Sequence, residues 1–177
     1  MRVIGGKYKG KRFAPPKNFP SRTTTDFAKE ALFNILINRF DFEDLEVLDL
    51  FAGTGNISLE FLSRDAKQVT SVDGHVVSIK FLSKMKDDLN DSNWSVIKKD
   101  AFEFLKTTNQ KYDLIFADPP FDLKGVNQVP ELVFSRSLLN ENGLLIVEHG
   151  RENKFENITQ FTEMRNYGGV QFSFFEV

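Results

Sequence analysis

The 177-residue sequence contains no cysteine, two histidines and one tryptophan. The absence of cysteine excludes disulfides, thiolate metal ligands and a cysteine nucleophile, and it suits a reducing compartment. His75 and His149 lie far apart, so we interpret both as polar loop residues and expect no bound metal. No apolar run reaches about 18 residues, and no apolar signal segment follows Met1. We therefore expect a cytoplasmic protein without a membrane segment.

What the sequence does contain is an ordinary globular composition, with 41% hydrophobic and 27% charged residues. A chain of this length can bury a core without covalent cross-links. Neither an internal repeat nor a composition break divides it, which predicts a single domain over residues 1–177. Because no dimerisation element is recognisable, we expect a monomer.

Charge is distributed unevenly along the chain. Residues 1–29 carry eight cations and one anion, a net charge of +7, and the whole chain carries −2, which leaves −9 for residues 30–177. Two short β-type runs, 2–4 and 11–13, are joined through a Gly5-Gly6 turn and predict a basic β-hairpin arm within residues 1–20. A basic arm can bind phosphates, but lysines also protect strand edges, and charge alone leaves both interpretations open.

Short apolar runs alternate with helical patterns after residue 46. The runs cover residues 47–51, 69–72, 94–97, 114–117 and 144–147, and helices are predicted at 25–38, 57–63, 76–89, 101–105 and 129–139. Such runs are typical of strands buried on both faces, so we expect helices on both sides of the sheet. Two further runs, 161–167 and 170–177, flank Gly168-Gly169 as a hairpin. The predicted fold is α/β, a mostly parallel seven-stranded sheet with an antiparallel last strand and an N-terminal β-hairpin.

The first of these helical patterns places Phe27 among its apolar positions. It shares them with Ala28, Ala31, Leu32, Ile35 and Leu36. Asp26 lies where a helix N-terminus favours an anion. We therefore expect an amphipathic helix that begins near Thr25.

A G-x-G pair, Gly53 and Gly55, separates the first strand run from the next helical pattern. Glycines there let backbone N–H groups approach a ligand at the carboxyl edge of a sheet, although the pair also occurs as a simple turn. Asp73 follows Gly55 by 18 positions, near the spacing of an acid that binds ribose hydroxyls. Ser58 replaces the third glycine of a dinucleotide fingerprint, and Asp49 precedes the loop. A cationic group, such as the ammonium of S-adenosylmethionine (SAM), therefore suits this loop better than a pyrophosphate.

The sharpest motif is Asp118-Pro119-Pro120-Phe121, directly after a buried run. The prolines end the strand and leave a rigid corner that presents a carboxylate and carbonyl oxygens. Two such acceptors can hold the N–H bonds of a nucleobase amine, and Phe121 offers a face for the base. The alternative interpretation is that the motif only ends the strand. The position of the motif after the fourth strand favours a catalytic corner for methyl transfer from SAM.

These motifs together resemble the class I SAM-dependent methyltransferases with a Rossmann-like fold. More narrowly, the chain is similar to the bacterial 16S rRNA guanine-N2 methyltransferase family known as RsmD. The similarity is carried by residues 1–11, 22–33, 47–56, 59–60, 62–64, 118–121 and the Gly168-Gly169 hairpin. The family usually has Arg-Pro-Thr-Thr-Asp-Arg where this chain has Arg22-Thr23-Thr24-Thr25-Asp26-Phe27, so Thr23 and Phe27 are departures.

The resemblance implies methylation of a guanine amine in 16S rRNA, within the small ribosomal subunit or an assembly intermediate. The implied catalytic residues are Asp118, Pro119, Pro120 and Phe121. The candidate SAM-binding residues are Thr25, Asp49, Phe51, Ala52, Gly53, Gly55, Asp73, Gly74, Asp100 and Ala101. For Thr25 and Asp100, a helix N-cap is the simpler alternative role. The candidate RNA-binding residues are Arg2, Lys7, Lys9, Lys11, Arg12 and Arg22.

Three other functions are compatible with parts of this pattern. An amino-methyltransferase for another RNA or for DNA would share the corner, although the chain has no room for a separate base-recognition domain. A non-catalytic RNA-binding assembly factor could use the same fold. A nucleotide-dependent oxidoreductase is disfavoured because Ser58 interrupts the dinucleotide fingerprint.

Overall fold

Seven strands form one sheet in the part of the chain that the structure describes, residues 1–20, 24–120 and 123–177 of a computed structural model. They are β1 (Glu46–Leu50), β2 (Gln68–Asp73), β3 (Trp94–Lys98), β4 (Tyr112–Ala117), β5 (Leu139–His149), β6 (Phe161–Tyr167) and β7 (Val170–Glu176). Their order across the sheet is β3-β2-β1-β4-β5-β7-β6. The first five in that order are parallel, and β7 is antiparallel to both β5 and β6. The predicted mostly parallel sheet with an antiparallel end is confirmed.

Helices cover both faces of the sheet, as predicted. They are α1 (Asp26–Leu36), α2 (Asn56–Ser63), α3 (Val76–Leu89), α4 (Ala101–Thr107) and α5 (Gln128–Ser135). On one face, Leu32, Phe61 and Leu82 from α1, α2 and α3 belong to one buried cluster. On the other face, Leu105 and Val133 from α4 and α5 belong to a second. Among the described residues, every helix is too short or too polar to cross a bilayer.

The last helix ends earlier than predicted, and the strand after it begins earlier. The predicted helix extended to residue 139, but α5 ends at Ser135 and Ser137 has a φ of 53°. Leu139 instead begins β5 and pairs with Tyr112. Apolar residues at 138 and 139 fit either element locally. Their burial beside β4 decides in favour of the strand.

The buried face of α1 differs from the predicted one at a single large residue. Ala28, Leu32 and Leu36 are fully buried, whereas the Phe27 side chain is 66% exposed. Successive helical residues are about 100° apart around the axis, so a helix that buries Ala28 and Leu32 turns Phe27 away from them. The prediction that Phe27 belongs to the apolar face of the helix is therefore wrong.

The N-terminal segment follows a hairpin course but is fastened to α2. A single antiparallel bridge joins Arg2 to Arg12, so the predicted two strands reduce to one pair. Between them, the Glu60 carboxylate accepts the N–H groups of Ile4 and Gly5 at 3.0 and 2.8 Å. Gly6 has a φ of 72° and lies so close to the α2 backbone that a Cβ would collide with it. These contacts to α2 take the place of a longer ladder.

A buried ion pair ties this segment to α1 and α2. The Lys29 ammonium lies 3.3 Å from Glu60 Oε2 and donates to the Arg2 carbonyl at 2.7 Å and to Asn56 Oδ1 at 2.8 Å. Both charged side chains are almost completely buried. Burial lowers the pKa of Lys29, and the charge of Glu60 opposes this effect. Loss of either partner would leave a buried charge without compensation, so the pair fixes the relative placement of the three segments.

Candidate active site

The candidate site lies where the strand order reverses, between β1 and β4. In open α/β sheets, ligands bind outside the carboxyl ends of the strands at such a point. The glycine loop follows β1 and the Asp118 corner follows β4, and the Asp118 N–H donates to the Leu50 carbonyl at 3.4 Å. The two motifs that the sequence singled out are therefore neighbours in space.

The glycine loop has the backbone conformation that its sequence predicts. Gly53 and Gly55 have φ values of 52° and 71°, in the left-handed region, and Gly55 precedes α2 as its N-cap. A Cβ at Gly55 would also lie 2.4 Å from the Leu82 side chain, so both space and conformation require glycine there. Phe51 also has a positive φ and packs edge-on against Phe102.

Asp73 ends β2 and holds the glycine loop. One carboxylate oxygen accepts the Gly53 N–H at 2.9 Å, and the other accepts the His75 N–H at 2.7 Å. Gly74 between these residues is exposed, whereas Asp73 is buried. Each carboxylate oxygen has a second lone pair. Asp73 can therefore fix the loop and still accept a hydroxyl group of a ligand.

Asp49 lies beneath the loop rather than on its surface. Its carboxylate accepts the Ser58 N–H at 3.1 Å and also the Ser58 hydroxyl. Ser58 Oγ in turn lies 2.6 Å from Ser71 Oγ, which accepts the Trp94 indole N–H. Burial raises the pKa of Asp49 to about 7, and the Ser58 hydrogen bonds oppose that rise. Ser58, which breaks the dinucleotide fingerprint, is thus the partner of Asp49.

The corner after β4 presents Asp118 at the carboxyl edge. Asp118 is half-buried, Pro119 is buried and Pro120 is exposed, with the Pro120 carbonyl accepting the Leu123 N–H at 2.9 Å. Burial raises the pKa of Asp118 well above its ordinary value, and the charges of Glu148 and Asp49 raise it further. Phe121 lies outside the described residues, so its stacking role stays a prediction.

Glu148 is the main site residue that sequence reasoning missed. Ala117 pairs with Val147, so Asp118 and Glu148 are each one residue further along adjacent parallel strands. Glu148 is 2% exposed and accepts the Thr24 hydroxyl at 2.9 Å. Burial raises the pKa of Glu148 to about 7, and the Thr24 hydrogen bond opposes that rise. A carboxylate directly after the apolar run 144–147 was the signal, and it is the same signal that identified Asp118.

Thr24 and Thr25 have different partners. The Thr25 side chain caps α1 by accepting the Ala28 N–H at 3.2 Å, which is the N-cap alternative, and its contact with SAM stays a prediction. Thr24 is buried, and its carbonyl accepts the Asn56 amide at 2.9 Å while its hydroxyl holds Glu148. A chain of hydrogen bonds therefore leads from Lys29 through Asn56 and Thr24 to Glu148.

Asp100 and Ala101 lie at the start of α4. The Asp100 side chain accepts the Glu103 N–H at 3.0 Å, which is the N-cap alternative, and the residue is exposed. Ala101 is buried. The cap leaves the second carboxylate oxygen of Asp100 available, so contact with an adenine stays a prediction.

The predicted RNA-binding cations differ in how they are engaged. Arg2 lies 3.5 Å from Asp26, and Lys7 lies 3.1 and 3.4 Å from Asp65 and Asp91. Lys9, Lys11 and Arg12 are also exposed, and they form no ion pair with another described residue. Arg22 lies outside the described residues. These three cations therefore offer the more accessible contacts for phosphate.

The histidines differ from their predicted role as loop residues. His75 is exposed before α3, but His149 is buried as the last residue of β5. Its Nε2 lies 2.7 Å from Ser173 Oγ, and its Nδ1 lies 2.8 Å from the Gly150 carbonyl. Burial lowers the pKa of His149. The prediction for His149 is therefore wrong, because β5 extends beyond the apolar run and carries it into the core.

Four carboxyl groups converge on one face at this edge of the sheet. Val72, Ala117 and Val147 lie at one level across the sheet, and Asp73, Asp118 and Glu148 each follow one of them, so these three side chains project to the opposite face from that level. Asp49 pairs with Ser71 and Phe116, two residues before Asp73 and Asp118, and therefore projects to the same face as they do. A cationic ligand would relieve the mutual repulsion of these groups, so the residues fit a cofactor that carries positive charge.

The sheet order and the loop at its switch point define the fold as that of a Rossmann-like class I methyltransferase. Residues 1–176 match the model of the family described as Conserved hypothetical protein 95, and the chain belongs to that family. The family resemblance inferred from the sequence is confirmed.

Relatives and solved structures agree with this assignment. Ribosomal RNA small subunit methyltransferase D of Escherichia coli is 32% identical over 153 residues, which are 86% of this chain and 76% of the relative. Putative rRNA methyltransferase YlbH of Bacillus subtilis is 32% identical over 156 residues, which are 86% of this chain and 84% of the relative. The structure of the putative methyltransferase yhhF from Escherichia coli superimposes with a TM-score of 0.86 at 28% identity, covering 99% of this chain and 97% of the other.

Proposed function

We propose that this protein transfers a methyl group from SAM to the exocyclic N2 amine of a guanine in small-subunit rRNA. The observation that carries the proposal is the placement of Asp118. Its carboxyl group lies beside Glu148 at the carboxyl end of β4, next to the glycine loop, and a rigid Pro119-Pro120 corner follows it.

The chain's own residues can orient an amine that is otherwise a poor nucleophile. The lone pair of a guanine amine is delocalised into the ring. Asp118 and the Pro119 carbonyl can accept its two N–H bonds, which fixes the nitrogen and turns its lone pair outward. Orientation of this kind accounts for a large part of the rate in bimolecular reactions. A carboxylate at Asp118 also stabilises the positive charge that develops on the nitrogen.

The cofactor fits the acidic edge of the sheet. When bound, SAM supplies an electrophilic methyl carbon on a positively charged sulfur. Asp73 would hold its ribose hydroxyls, and the loop of Gly53 and Gly55 would approach its amino acid portion. Asp49 would act through its charge from beneath the loop, because the carboxyl group is buried there. No metal is required by this set of residues.

The rRNA substrate is supported by the named relatives and by the basic arm. The printed names of the Escherichia coli and Bacillus subtilis relatives both specify rRNA. Lys9, Lys11 and Arg12 are exposed and can bind phosphates, with Arg2, Lys7 and Arg22 as further contacts. The real substrate is then a small ribosomal subunit or an assembly intermediate, bound by a monomer in the cytoplasm.

The test is methyl transfer from labelled SAM to small-subunit particles that lack their native modifications. Nucleoside analysis of the rRNA should yield labelled N2-methylguanosine with the wild-type protein and none with Asp118→Ala. Label in another nucleoside would replace the guanine assignment. In a parallel reaction with DNA in place of the particles, label in the DNA together with unlabelled particles would refute the rRNA substrate. Full complementation of a strain that lacks the protein by Asp118→Ala would indicate a non-catalytic assembly factor.

A further inference from the structure

An exposed aromatic pair lies at the same edge of the sheet as Asp118 and Glu148. The rings of Phe27 and Tyr167 meet edge to face, with centroids 6.3 Å apart and planes at 71°. Tyr167 is half-buried against Phe172, whereas the Phe27 side chain is 66% exposed. The pair therefore presents one ring to solvent and supports it with a second ring that is anchored in the core.

The topology places this pair beside the proposed substrate position. Phe27 is in the first turn of α1, three residues after Thr24, and Thr24 holds Glu148. Tyr167 pairs with Val170, and the next residue of β7, Gln171, pairs with His149. Phe27 and Tyr167 are thus each connected, by chain or by strand pairing, to a residue next to Glu148. The pair lies on the β5 side of the site, away from the glycine loop.

Charged side chains lie near Phe27. The Arg2 guanidinium is paired at 3.5 Å with Asp26, the residue before Phe27, and about half of the Arg2 side chain remains exposed. Arg12 is exposed and forms the antiparallel bridge with Arg2. An exposed aromatic face beside cations is the combination by which proteins bind single-stranded nucleic acid, because bases stack on the ring and phosphates meet the charges.

We propose that Phe27, supported by Tyr167, is a stacking platform for an unpaired nucleotide next to the target nucleotide of the RNA substrate. This inference rests on the proposed function, because it assigns the platform to the same RNA. It also gives a role to a large apolar side chain whose exposure has no explanation in the packing of α1. The platform binds any base, since each base has a flat face, so it adds affinity and register rather than sequence preference.

One experiment compares Phe27→Ala with Ile37→Ala. Ile37 follows the other end of α1 and is 59% exposed, so its truncation removes a similar amount of exposed apolar surface away from the site. With unmodified small-subunit particles, Phe27→Ala should raise KM for the particle about tenfold and leave SAM affinity unchanged. Ile37→Ala should match the wild type. Equal KM values for the two variants would overturn the platform.

A second experiment detects stacking without requiring catalysis. The native Trp94 is fully buried on β3, at the other end of the sheet, so Phe27→Trp introduces an exposed indole while the native indole stays shielded. Binding of a single-stranded RNA oligonucleotide should quench the new indole and leave the wild-type emission unchanged. Absence of quenching at saturating RNA would refute the platform. Quenching without any rRNA methylation by the wild-type protein would support the platform and refute the proposed function instead.

A protein partner would give a different result. If Phe27 served to join two copies of this chain, sedimentation would show a dimer that Phe27→Ala dissociates, and RNA would not quench Phe27→Trp. That outcome would also overturn the platform.

Discussion

The two halves of the carboxyl edge differ in how completely their carboxyl groups are hydrogen-bonded. Beside the glycine loop, Asp73 accepts two backbone N–H groups, and Asp49 accepts the N–H and the hydroxyl of Ser58. Beside the Pro119-Pro120 corner, Glu148 accepts one hydroxyl, and the Asp118 carboxylate accepts no hydrogen bond from the described residues. The loop half is organised before any ligand arrives, whereas the corner half retains acceptors for the donors of a ligand.

Electrostatics follow the same division. Burial raises the pKa of Asp118 well above its ordinary value, and neighbouring Glu148 and Asp49 add to the rise. A donor or a cation at this position would favour the charged carboxylate and lower that pKa. We infer that a ligand completes the corner half by supplying the donors that Asp118 lacks among the described residues.

The largest expected effect concerns the corner half. Asp118→Ala should lower kcat about a thousandfold, since loss of a positioning acceptor typically costs 10²–10³ or so in rate, while SAM affinity stays within about twofold. Single-turnover transfer to unmodified particles and calorimetric titration with SAM measure the two quantities. A variant that lost SAM binding in proportion to rate would show that the two halves are not separate.

The next largest effect is a change in pH dependence at Glu148. The pKa of Glu148 rises from 4.5 to about 7 in the folded protein, so its contribution to stability is fully present below pH 4.5 and is lost as pH rises through about 7. Between low and high pH, this titration lowers the free energy of unfolding by up to about 3 kcal/mol, and Glu148→Gln should remove that decrease. A smaller dependence remains, because burial also raises the pKa values of Asp49 and Asp118.

Urea unfolding at pH 5 and pH 8 measures the effect. Glu131→Gln, at an exposed position of α5, is the matched control and should keep the wild-type difference between the two pH values. An unchanged difference in Glu148→Gln would contradict the assignment of the titration to this residue.

A smaller effect is expected in the loop half. Asp73→Asn keeps one acceptor oxygen but removes the second, so the loop loses a hydrogen bond and the ribose hydroxyls lose an acceptor. SAM affinity should fall about tenfold, which is the size expected for one hydrogen bond to a charged group. Asp88→Asn, at an exposed position of α3, should bind SAM as the wild type does. Tight SAM binding by Asp73→Asn would refute the ribose assignment.

The smallest effect per residue is expected from the arm. Charge reversal at Lys9, Lys11 and Arg12 should weaken particle binding at low salt and flatten its salt dependence, because each cation releases about one counterion on binding. Reversal of three exposed lysines elsewhere, Lys84, Lys106 and Lys111, gives the same net charge and should retain the salt dependence. If the two triple variants show the same salt dependence of particle binding, the arm contributes only to the net charge of the protein. That result would refute a direct contact between the arm and the RNA.

Local signals in the sequence were sufficient for most of the fold. The short apolar runs, the glycines at positive φ and the prolines after Ala117 each restrict the backbone by themselves, so strand order along the chain and both loops were predictable. The apolar residues at 138 and 139 show the limit of this reasoning. They suit a helix or a strand equally, and only the pairing of Leu139 with Tyr112 starts β5 at that residue.

The site divides in the same way. The sequence by itself determined where Asp118 and the glycine loop lie, because each directly follows an apolar run that forms a strand. Only the tertiary structure brought Glu148 to Thr24, buried His149 and left Phe27 exposed. These features depend on which surfaces of separate helices and strands pack against one another. The free energy gained by burying those surfaces comes from contacts between segments distant in the sequence, so no single segment shows it.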